Sequence, residues 1–252
     1  MVTVHSTRGS VPREAGAWMA VFAQGAVGTV GGGHLEFSAI QEARLRLAGG
    51  VGEPVLRYAL GPALGQCCGG EMHLSFEVVT VADSDALQVR LAVTRYPLAL
   101  FGAGHVAQAL VQVLAALPFS VTWVDSRDEI FPAQVPANVR CEHSDPVQAG
   151  VTALAPDSRV LIMSFSHAQD LDVVAACLLR QRLQADLPFV GLIGSASKWA
   201  TFQHRLAARG FTPAELAQIT CPIGVAGIAG KEPAVIAVAV AAQLLQTRPI
   251  CN

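Results

Sequence analysis

The sequence has 252 residues, of which 52% are hydrophobic and 14% are charged, and its formal net charge is −2. The charged fraction lies well below the ~25% of an average domain, which argues against a disordered chain and against one that coats nucleic acid. The length is sufficient for one large domain or two modest ones, each with a real core.

Three features predict a cytoplasmic protein. Residues 1–4 are strand-like and carry no charged segment of the kind that begins a signal peptide. The longest apolar run, 234–242, is far shorter than the ~18 residues that suggest a membrane span. The six cysteines show no zinc-type spacing, so reduced thiols are expected. We expect neither a membrane nor a nucleic acid among the partners.

The first part of the chain predicts a mixed α+β domain. Strands are expected at 1–6, 17–23, 26–30, 55–60 and 72–81, with a helix from 34 to about 48. The polar loop 6–16 contains Arg8 and Arg13, whose guanidinium groups can approach an anion. By composition, an ordinary surface loop with solvated charges is an equally good interpretation.

A glycine triplet, Gly31, Gly32 and Gly33, precedes the predicted helix. Such a turn leaves backbone N–H groups unpaired beside the positive end of the helix dipole, where phosphate or another oxyanion can bind. A flexible turn that only leads into the helix is the competing interpretation.

The loop 61–70 contains Gln66 and two adjacent thiols, Cys67 and Cys68, followed by Gly69 and Gly70. Core cysteines usually lie in apolar segments, whereas thiols flanked by glycines are accessible to a bulky partner. We therefore favour a chemical role for this loop over packing.

A helix-like link at 83–96 ends the first part, so the predicted domains are 1–96 and 97–252. Regular alternation of strands and helices follows and predicts a Rossmann-like parallel sheet. Five strands are expected, at 98–101, 120–124, 139–141, 159–165 and 188–193, in the order 3-2-1-4-5. Helices are expected at 166–184, 196–208, 213–218 and 232–246, with a short one that has Pro146 at its first helical position.

The first strand of this sheet leads into a dinucleotide-binding fingerprint. Gly102, Gly104 and Ala107 fit Gly-x-Gly-x-x-Gly/Ala between a strand and a helix. Asp125 ends the next strand at roughly the 20-residue spacing expected of an acid that accepts from a ribose hydroxyl. The pattern in this context strongly favours a Rossmann-type unit and says less about the ligand.

Further candidates lie at the carboxyl ends of the predicted strands. His105 can donate to a phosphate or face solvent, and His167 can contact a ligand or bond to backbone. Gly194 and Ser195 form a turn into a helix, and Asp170 fits simple helix capping. No set of His, Cys and Asp has metal-ligand spacing, and no Gly-x-Ser-x-Gly elbow supports a hydrolase.

Several segments together resemble the XdhC/CoxI family, the xanthine dehydrogenase accessory proteins. They are 6–17, 28–36, 64–70, 101–107 with 191–195, and the later 222–224 and 230–233. The chain departs from the family in one respect, since members usually have a helix before the first strand. We expect this to lower stability without removing the site.

The resemblance implies a non-catalytic chaperone in purine catabolism that binds the molybdenum cofactor (molybdopterin). It implies association with a cysteine desulfurase and delivery to the molybdenum subunit of xanthine dehydrogenase. Cys68 takes the place of the family's motif cysteine, which makes it the first candidate for contact with molybdenum or sulfur, and Cys67 the second. Gln66 and the turns at 31–33 and 102–104 are expected to hold the cofactor, with Asp125, His167, Gly194 and Ser195.

Alternatives stay open at this point. An NAD(P)-dependent oxidoreductase would use the same Rossmann crevice, and a pure scaffold would join desulfurase and target without holding a cofactor. The form of the cofactor, plain pterin or nucleotide, is not determined by the sequence, and neither is the formation of a homodimer.

Overall fold

The computed structural model describes residues 1–61 and 69–249. The chain divides into two compact units, Met1–Ala92 and Val93–Asn252. Each unit builds its own sheet and its own core, and each is described by itself.

The first unit contains an antiparallel sheet with the strand order β3-β2-β1-β5-β4. Its described strands are β1 (Val2–Arg8), β2 (Trp18–Phe22), β3 (Gly25–Gly28), β4 (Val55–Ala59) and β5 (Glu71–Phe76). Alternate residues of β5 are buried, as expected when one face of a sheet is covered. The predicted strand at 72–81 is therefore too long, since β5 ends at Phe76.

Helix α1 (Gly33–Leu47) supplies the cover for this sheet. Its Leu35 and Ala39 are fully buried and share one core cluster with Val2, Met19 and Leu74 of the strands. A 3-10 helix, Val81–Asp83, and α2 (Ser84–Arg90) complete the unit. The mixed α+β prediction for this part is confirmed.

The second unit contains a parallel sheet with the order β8-β7-β6-β9-β10-β11. Its described strands are β6 (Tyr96–Phe101), β7 (Phe119–Asp125), β8 (Val139–His143), β9 (Arg159–Ile162), β10 (Phe189–Leu192) and β11 (Ile219–Thr220). The first five follow the predicted order 3-2-1-4-5, which is confirmed. The sixth strand, β11, was not predicted from the sequence, because two residues are too few to show a periodic pattern.

Helices cover both faces of the parallel sheet. One face packs against α3 (His105–Leu114) and α7 (Pro233–Gln246), and the other against α4 (His167–Gln184) and α5 (Ala196–Ala208). Successive residues of β6 enter opposite cores, as Leu100 and Phe101 show. A 3-10 helix, Val147–Ala153, and the short α6 (Pro213–Leu216) lie between these elements. None of the described helices is both long and apolar enough to cross a membrane.

Two local predictions in this unit are wrong. Pro146 does not occupy a first helical position, because its backbone is extended (ψ 144°) and the 3-10 helix begins at Val147. The fourth parallel strand ends at Ile162 and does not reach residue 165. The strand does not continue, because the Ser164 N–H donates to the Asp170 carboxylate and not to a neighbouring strand.

Candidate functional site

The glycine turn after β6 is held tightly against the neighbouring strands. Gly102 has φ 107°, and its N–H donates to the Val124 carbonyl at 2.7 Å. A Cβ on Gly102 would overlap the Met163 carbonyl oxygen and lie 2.9 Å from the Ser164 Cα. Both the backbone angle and the close approach therefore require glycine.

The turn leads directly into the N-terminus of α3. Gly104 is the N-cap residue, no side chain caps the helix, and its first turn contains no acid. A Cβ on Gly104 would meet nothing within 4 Å, so open space faces this point. The arrangement leaves helix N–H groups and the positive end of the dipole available to an anion.

Asp125, at the end of β7, is almost fully engaged by the protein itself. Its Oδ2 accepts from the Ala103 N–H at 2.7 Å and from Nη2 of Arg127 at 2.8 Å. Its Oδ1 accepts from the N–H and the Nε of Arg127, both at 2.9 Å. Burial would raise the pKa of Asp125, but these hydrogen bonds, led by those of the Arg127 side chain, hold it below its usual value.

Two contacts connect the loop after β7 with the chain that follows β9, one through the first turn of α4 and one through the loop before it. The Gln169 amide donates to the Ser126 hydroxyl at 2.7 Å, and the Arg127 guanidinium lies 4.6 Å from the centre of the exposed Phe165 ring. These two strands flank β6 in the sheet. The contacts therefore connect the two sides of the strand that carries the glycine turn.

A buried ion pair at the same edge of the sheet was missed by sequence reasoning. Nζ of Lys198 lies 2.6 Å from Oδ2 of Asp170, with side chains 12% and 3% exposed. The ammonium also donates to the Ile193 carbonyl at 2.8 Å, while Oδ1 of Asp170 accepts from the Ser164 N–H. One available signal was that Lys198 is one of only two lysines in the chain.

The ion pair explains the turn that contains Gly194 and Ser195. The Ser195 hydroxyl accepts from the Lys198 N–H and caps α5. A Cβ on Gly194 would lie 2.7 Å from Cδ of Lys198, so glycine leaves room for the lysine stem. His167 begins α4 with an exposed side chain, and its ring centre lies 6.3 Å from that of Phe202.

Two cavities adjoin the N-terminus of α3 and share His105 and Pro233. The first, the switch-point cavity, has a volume of about 290 Å³ and is lined by Gly104, Val106, Met163 and Ile193. The second, the α3 groove, has a volume of about 590 Å³. Residues lining the α3 groove include His105, Gln108, Gln112, Trp123, Ile130 and Phe131. The first residue of α3 thus borders both cavities.

In the first unit, the glycine triplet is occupied by a carboxylate of its own helix. Oε2 of Glu36 accepts from the Val30 N–H at 3.0 Å, from the Gly32 N–H at 3.2 Å and from the Thr29 hydroxyl. Burial would raise the pKa of Glu36, and these hydrogen bonds, with that of Thr29 foremost, lower it overall. The anion predicted over Gly31–Gly33 is therefore supplied, in this structure, by the protein.

The motif loops of the first unit meet at one end of its strands. A Cβ on Gly70 would overlap the Ser10 carbonyl oxygen and lie 2.8 Å from that of Arg8. A Cβ on Gly31 would overlap the Pro12 ring. The segment 8–12 thus contacts both Gly31 and Gly70, although the three are far apart in sequence.

The predicted anion contacts differ in their surroundings. Arg8 is exposed, and its backbone lies opposite that of Glu71 in the register of β1 and β5. Arg13 contacts the Thr29 carbonyl at 3.5 Å and Glu14 at 3.6 Å. Gln66, Cys67 and Cys68 lie outside the described residues. Within 1–61 and 69–249, no cluster of His, Cys, Asp and Glu has the arrangement of a metal site.

The fold and the site define a two-unit protein in which a mixed α+β unit precedes a Rossmann domain. A family model described as the XdhC Rossmann domain matches residues 98–244, and one described as the XdhC and CoxI family matches residues 1–59. The chain belongs to the XdhC and CoxI family, and the resemblance indicated by its motifs is confirmed. This is a family of accessory proteins linked to xanthine dehydrogenase maturation.

Two individual proteins are similar over nearly the whole chain. The uncharacterized protein YqeB of Escherichia coli (strain K12) is 31% identical over 261 residues, which cover 98% of this chain. The chain spans 43% of the length of that relative. The crystal structure of a xanthine dehydrogenase from Bacillus halodurans matches with a TM-score of 0.78 at 19% identity, over 98% of this chain and 90% of that chain. At this identity the similarity shows a shared fold.

Proposed function

We propose that this protein is a carrier of the molybdenum cofactor, which it holds for sulfuration by a cysteine desulfurase and for insertion into xanthine dehydrogenase. The observation that carries the proposal is family membership, matched separately in both units. The cofactor is cargo in this account, and the residues of the chain bind and protect it without transforming it.

The first unit supports the proposal through the position of Gly70. This glycine follows Cys67, Cys68 and Gly69 in sequence, and it lies against Arg8 and Ser10. Gly70, which follows the thiols, therefore lies against the backbone of β1 and of the loop after it. Thiolate is a soft ligand suited to metal and sulfur chemistry. Cys68 is the residue we assign to contact with molybdenum or sulfur.

The second unit supports the proposal through the uncapped N-terminus of α3. The pterin cofactor has a phosphate, and the open space at Gly104 beside unpaired helix N–H groups suits such a group. The Ser164 hydroxyl, adjacent to Gly102, is buried and has no hydrogen-bond partner among the described residues.

The same unit weakens the case for a nicotinamide enzyme. In a dinucleotide site, the acid at the end of the second strand accepts hydrogen bonds from a ribose. Here the two oxygens of Asp125 already accept four hydrogen bonds, from Ala103 and Arg127. The glycine turn taken by itself still fits a nicotinamide enzyme, so the experiment measures both cofactor transfer and nicotinamide binding.

The test compares cofactor transfer with nicotinamide binding in the same preparation. Molybdenum cofactor released anaerobically from a purified molybdoenzyme is incubated with the chain, then with desulfurase and apo-xanthine dehydrogenase. We expect the chain to increase recovered dehydrogenase activity, and Cys68→Ala to lose most of that increase. The control Cys141→Ala replaces a partly buried thiol on β8 and should behave as wild type. Micromolar binding of NADH or NADPH with hydride transfer would instead establish the oxidoreductase.

A further inference from the structure

The α3 groove and the glycine turn are parts of one hydrogen-bonded structure. The indole Nε1 of Trp123 donates to the Gly102 carbonyl at 2.8 Å, and the Gln108 amide donates to the Ala103 carbonyl at 3.2 Å. Both side chains also line the groove. The wall of the groove is therefore fixed relative to the N-terminus of α3.

The chemistry of the groove suits a flat aromatic group. Its accessible aromatic ring is that of the half-buried Phe131, which packs edge-on against the fully buried Trp123 with ring centres 5.3 Å apart and an interplanar angle of 69°. The opposite side is a stripe of α3 that presents His105, Gln108 and the exposed amide of Gln112. An amide has a donor and an acceptor side by side, which matches the edge of a nucleobase.

The size and charge of the groove fit the same ligand. Its volume of about 590 Å³ falls within the ~300–1,000 Å³ typical of small-molecule sites. The described residues that line it include no carboxylate, which is compatible with an anionic ligand. His105 belongs to both this groove and the switch-point cavity, and it begins α3.

We propose that the α3 groove is a base-binding subsite, which holds the nucleobase of a nucleotide whose phosphate lies at the N-terminus of α3. This inference rests on the proposed function, from which it takes the position of the phosphate. It adds that the group held in the α3 groove is a nucleobase. The base lies against Phe131 beside Trp123, and its polar edge bonds to Gln112. The nucleotide form of the cofactor is then the preferred cargo over the plain pterin.

The test measures whether a base increases affinity. The probes are cytidine 5′-monophosphate, guanosine 5′-monophosphate and ribose 5-phosphate, titrated calorimetrically into the wild-type chain. Stacking contributes ~1–3 kcal/mol per base, so at least one nucleotide should bind about tenfold more tightly than ribose 5-phosphate. Trp18→Phe with Trp199→Phe leaves Trp123 as the one tryptophan. Its emission should change with the nucleotide and not with ribose 5-phosphate.

Variants distinguish the groove from other sites. Gln112→Leu and Phe131→Leu should each reduce the advantage of the nucleotide severalfold and leave the affinity for ribose 5-phosphate unchanged. Gln184→Leu changes an exposed glutamine at the end of α4 and is the matched control. Equal affinities for nucleotide and ribose 5-phosphate, or no binding of either, would overturn the base-binding subsite.

The two proposals fail in different ways. A chain that transfers the cofactor but shows no preference for nucleotides retains the carrier function and loses the base-binding subsite. A chain that binds nucleotides in the groove but neither captures nor transfers the cofactor retains the subsite and loses the carrier function.

Discussion

The Arg127 guanidinium binds both carboxylate oxygens of Asp125, with Nε 2.9 Å from Oδ1 and Nη2 2.8 Å from Oδ2. The carboxylate is 1% exposed and the arginine 31% exposed. The acid that ends the second strand of this Rossmann domain therefore fixes its own loop and the Ala103 N–H. The pairing of Asp125 with Arg127 therefore distinguishes this site from a dinucleotide site, in which the acid accepts hydrogen bonds from a ribose.

Removal of the guanidinium should destabilise the second unit. Arg127→Met leaves a buried carboxylate with two backbone partners, and the free energy of unfolding should fall by about 2 kcal/mol in urea denaturation. Arg209→Met breaks a surface pair with Asp172, whose side chains are 45% and 41% exposed, and should cost under about 1 kcal/mol. Equal losses in the two variants would show that Arg127 is an ordinary surface partner.

The same variant should change the pH dependence of stability. Because the folded pKa of Asp125 is depressed, its contribution is fully present above the unfolded pKa, ~3.9. That contribution is lost as the pH falls through the folded pKa. The difference between wild type and Arg127→Met should thus be constant near neutral pH and shrink in acid. A difference that grows in acid would contradict the assignment.

The buried pair of Lys198 and Asp170 should be sensitive to loss of one partner. Lys198→Met leaves a carboxylate that is 3% exposed without its cation, and the free energy of unfolding should fall by about 3 kcal/mol. The double variant Lys198→Met with Asp170→Asn should recover part of this loss, since the buried charge is gone. Lys231→Met changes the other lysine, which is exposed, and should be neutral. A neutral Lys198→Met would refute the structural role of the pair.

The glycines of the cysteine loop should differ from each other. Gly70→Ala puts a methyl group into the Ser10 carbonyl and should destabilise the first unit by about 2 kcal/mol. Gly69→Ala meets nothing within 4 Å and should be tolerated. Thermal unfolding of the two variants measures the difference. If Gly69→Ala proved the more damaging, the contact between Gly70 and Ser10 would be wrong.

The two glycines of the turn before α3 should differ in their effects, with Gly102 important for stability and Gly104 for cofactor binding. Gly102→Ala should destabilise the protein, because φ is 107° and the methyl group would overlap the Met163 carbonyl. Gly104→Ala should leave the unfolding temperature unchanged but reduce cofactor affinity about tenfold, because its methyl group would lie where a phosphate approaches the backbone. Equal cofactor affinity in wild type and Gly104→Ala would move the phosphate away from this turn.

The sequence order of the second unit predicted much of its architecture. Strand, glycine turn, helix, strand and acid follow one another in the chain, and such local order determines the course of a parallel sheet. The strand β11 was missed because it is short and paired on one side only. In the first unit, apolar runs predicted the strands, and the glycines on either side of 34–48 predicted the helix, but the order of the strands was not predicted.

The partners of the site residues could not be predicted in the same way. Motif patterns identified Gly32, Asp125 and Asp170, but not that Glu36, Arg127 and Lys198 engage them. Each pairing depends on side-chain directions set by packing, and several residue types at several positions would satisfy the same pattern. The sequence therefore located the glycine turns, but it did not show which turn is occupied by a carboxylate of the protein.

The most direct test of the carrier function is the content of the purified chain. The wild-type protein, produced in cells that make the pterin cofactor and isolated without oxygen, should elute with molybdenum and pterin in equal amounts. Cys68→Ala should elute with much less molybdenum, and Cys141→Ala should match wild type. Absence of both molybdenum and pterin from wild-type protein that is folded and freshly isolated would contradict the account.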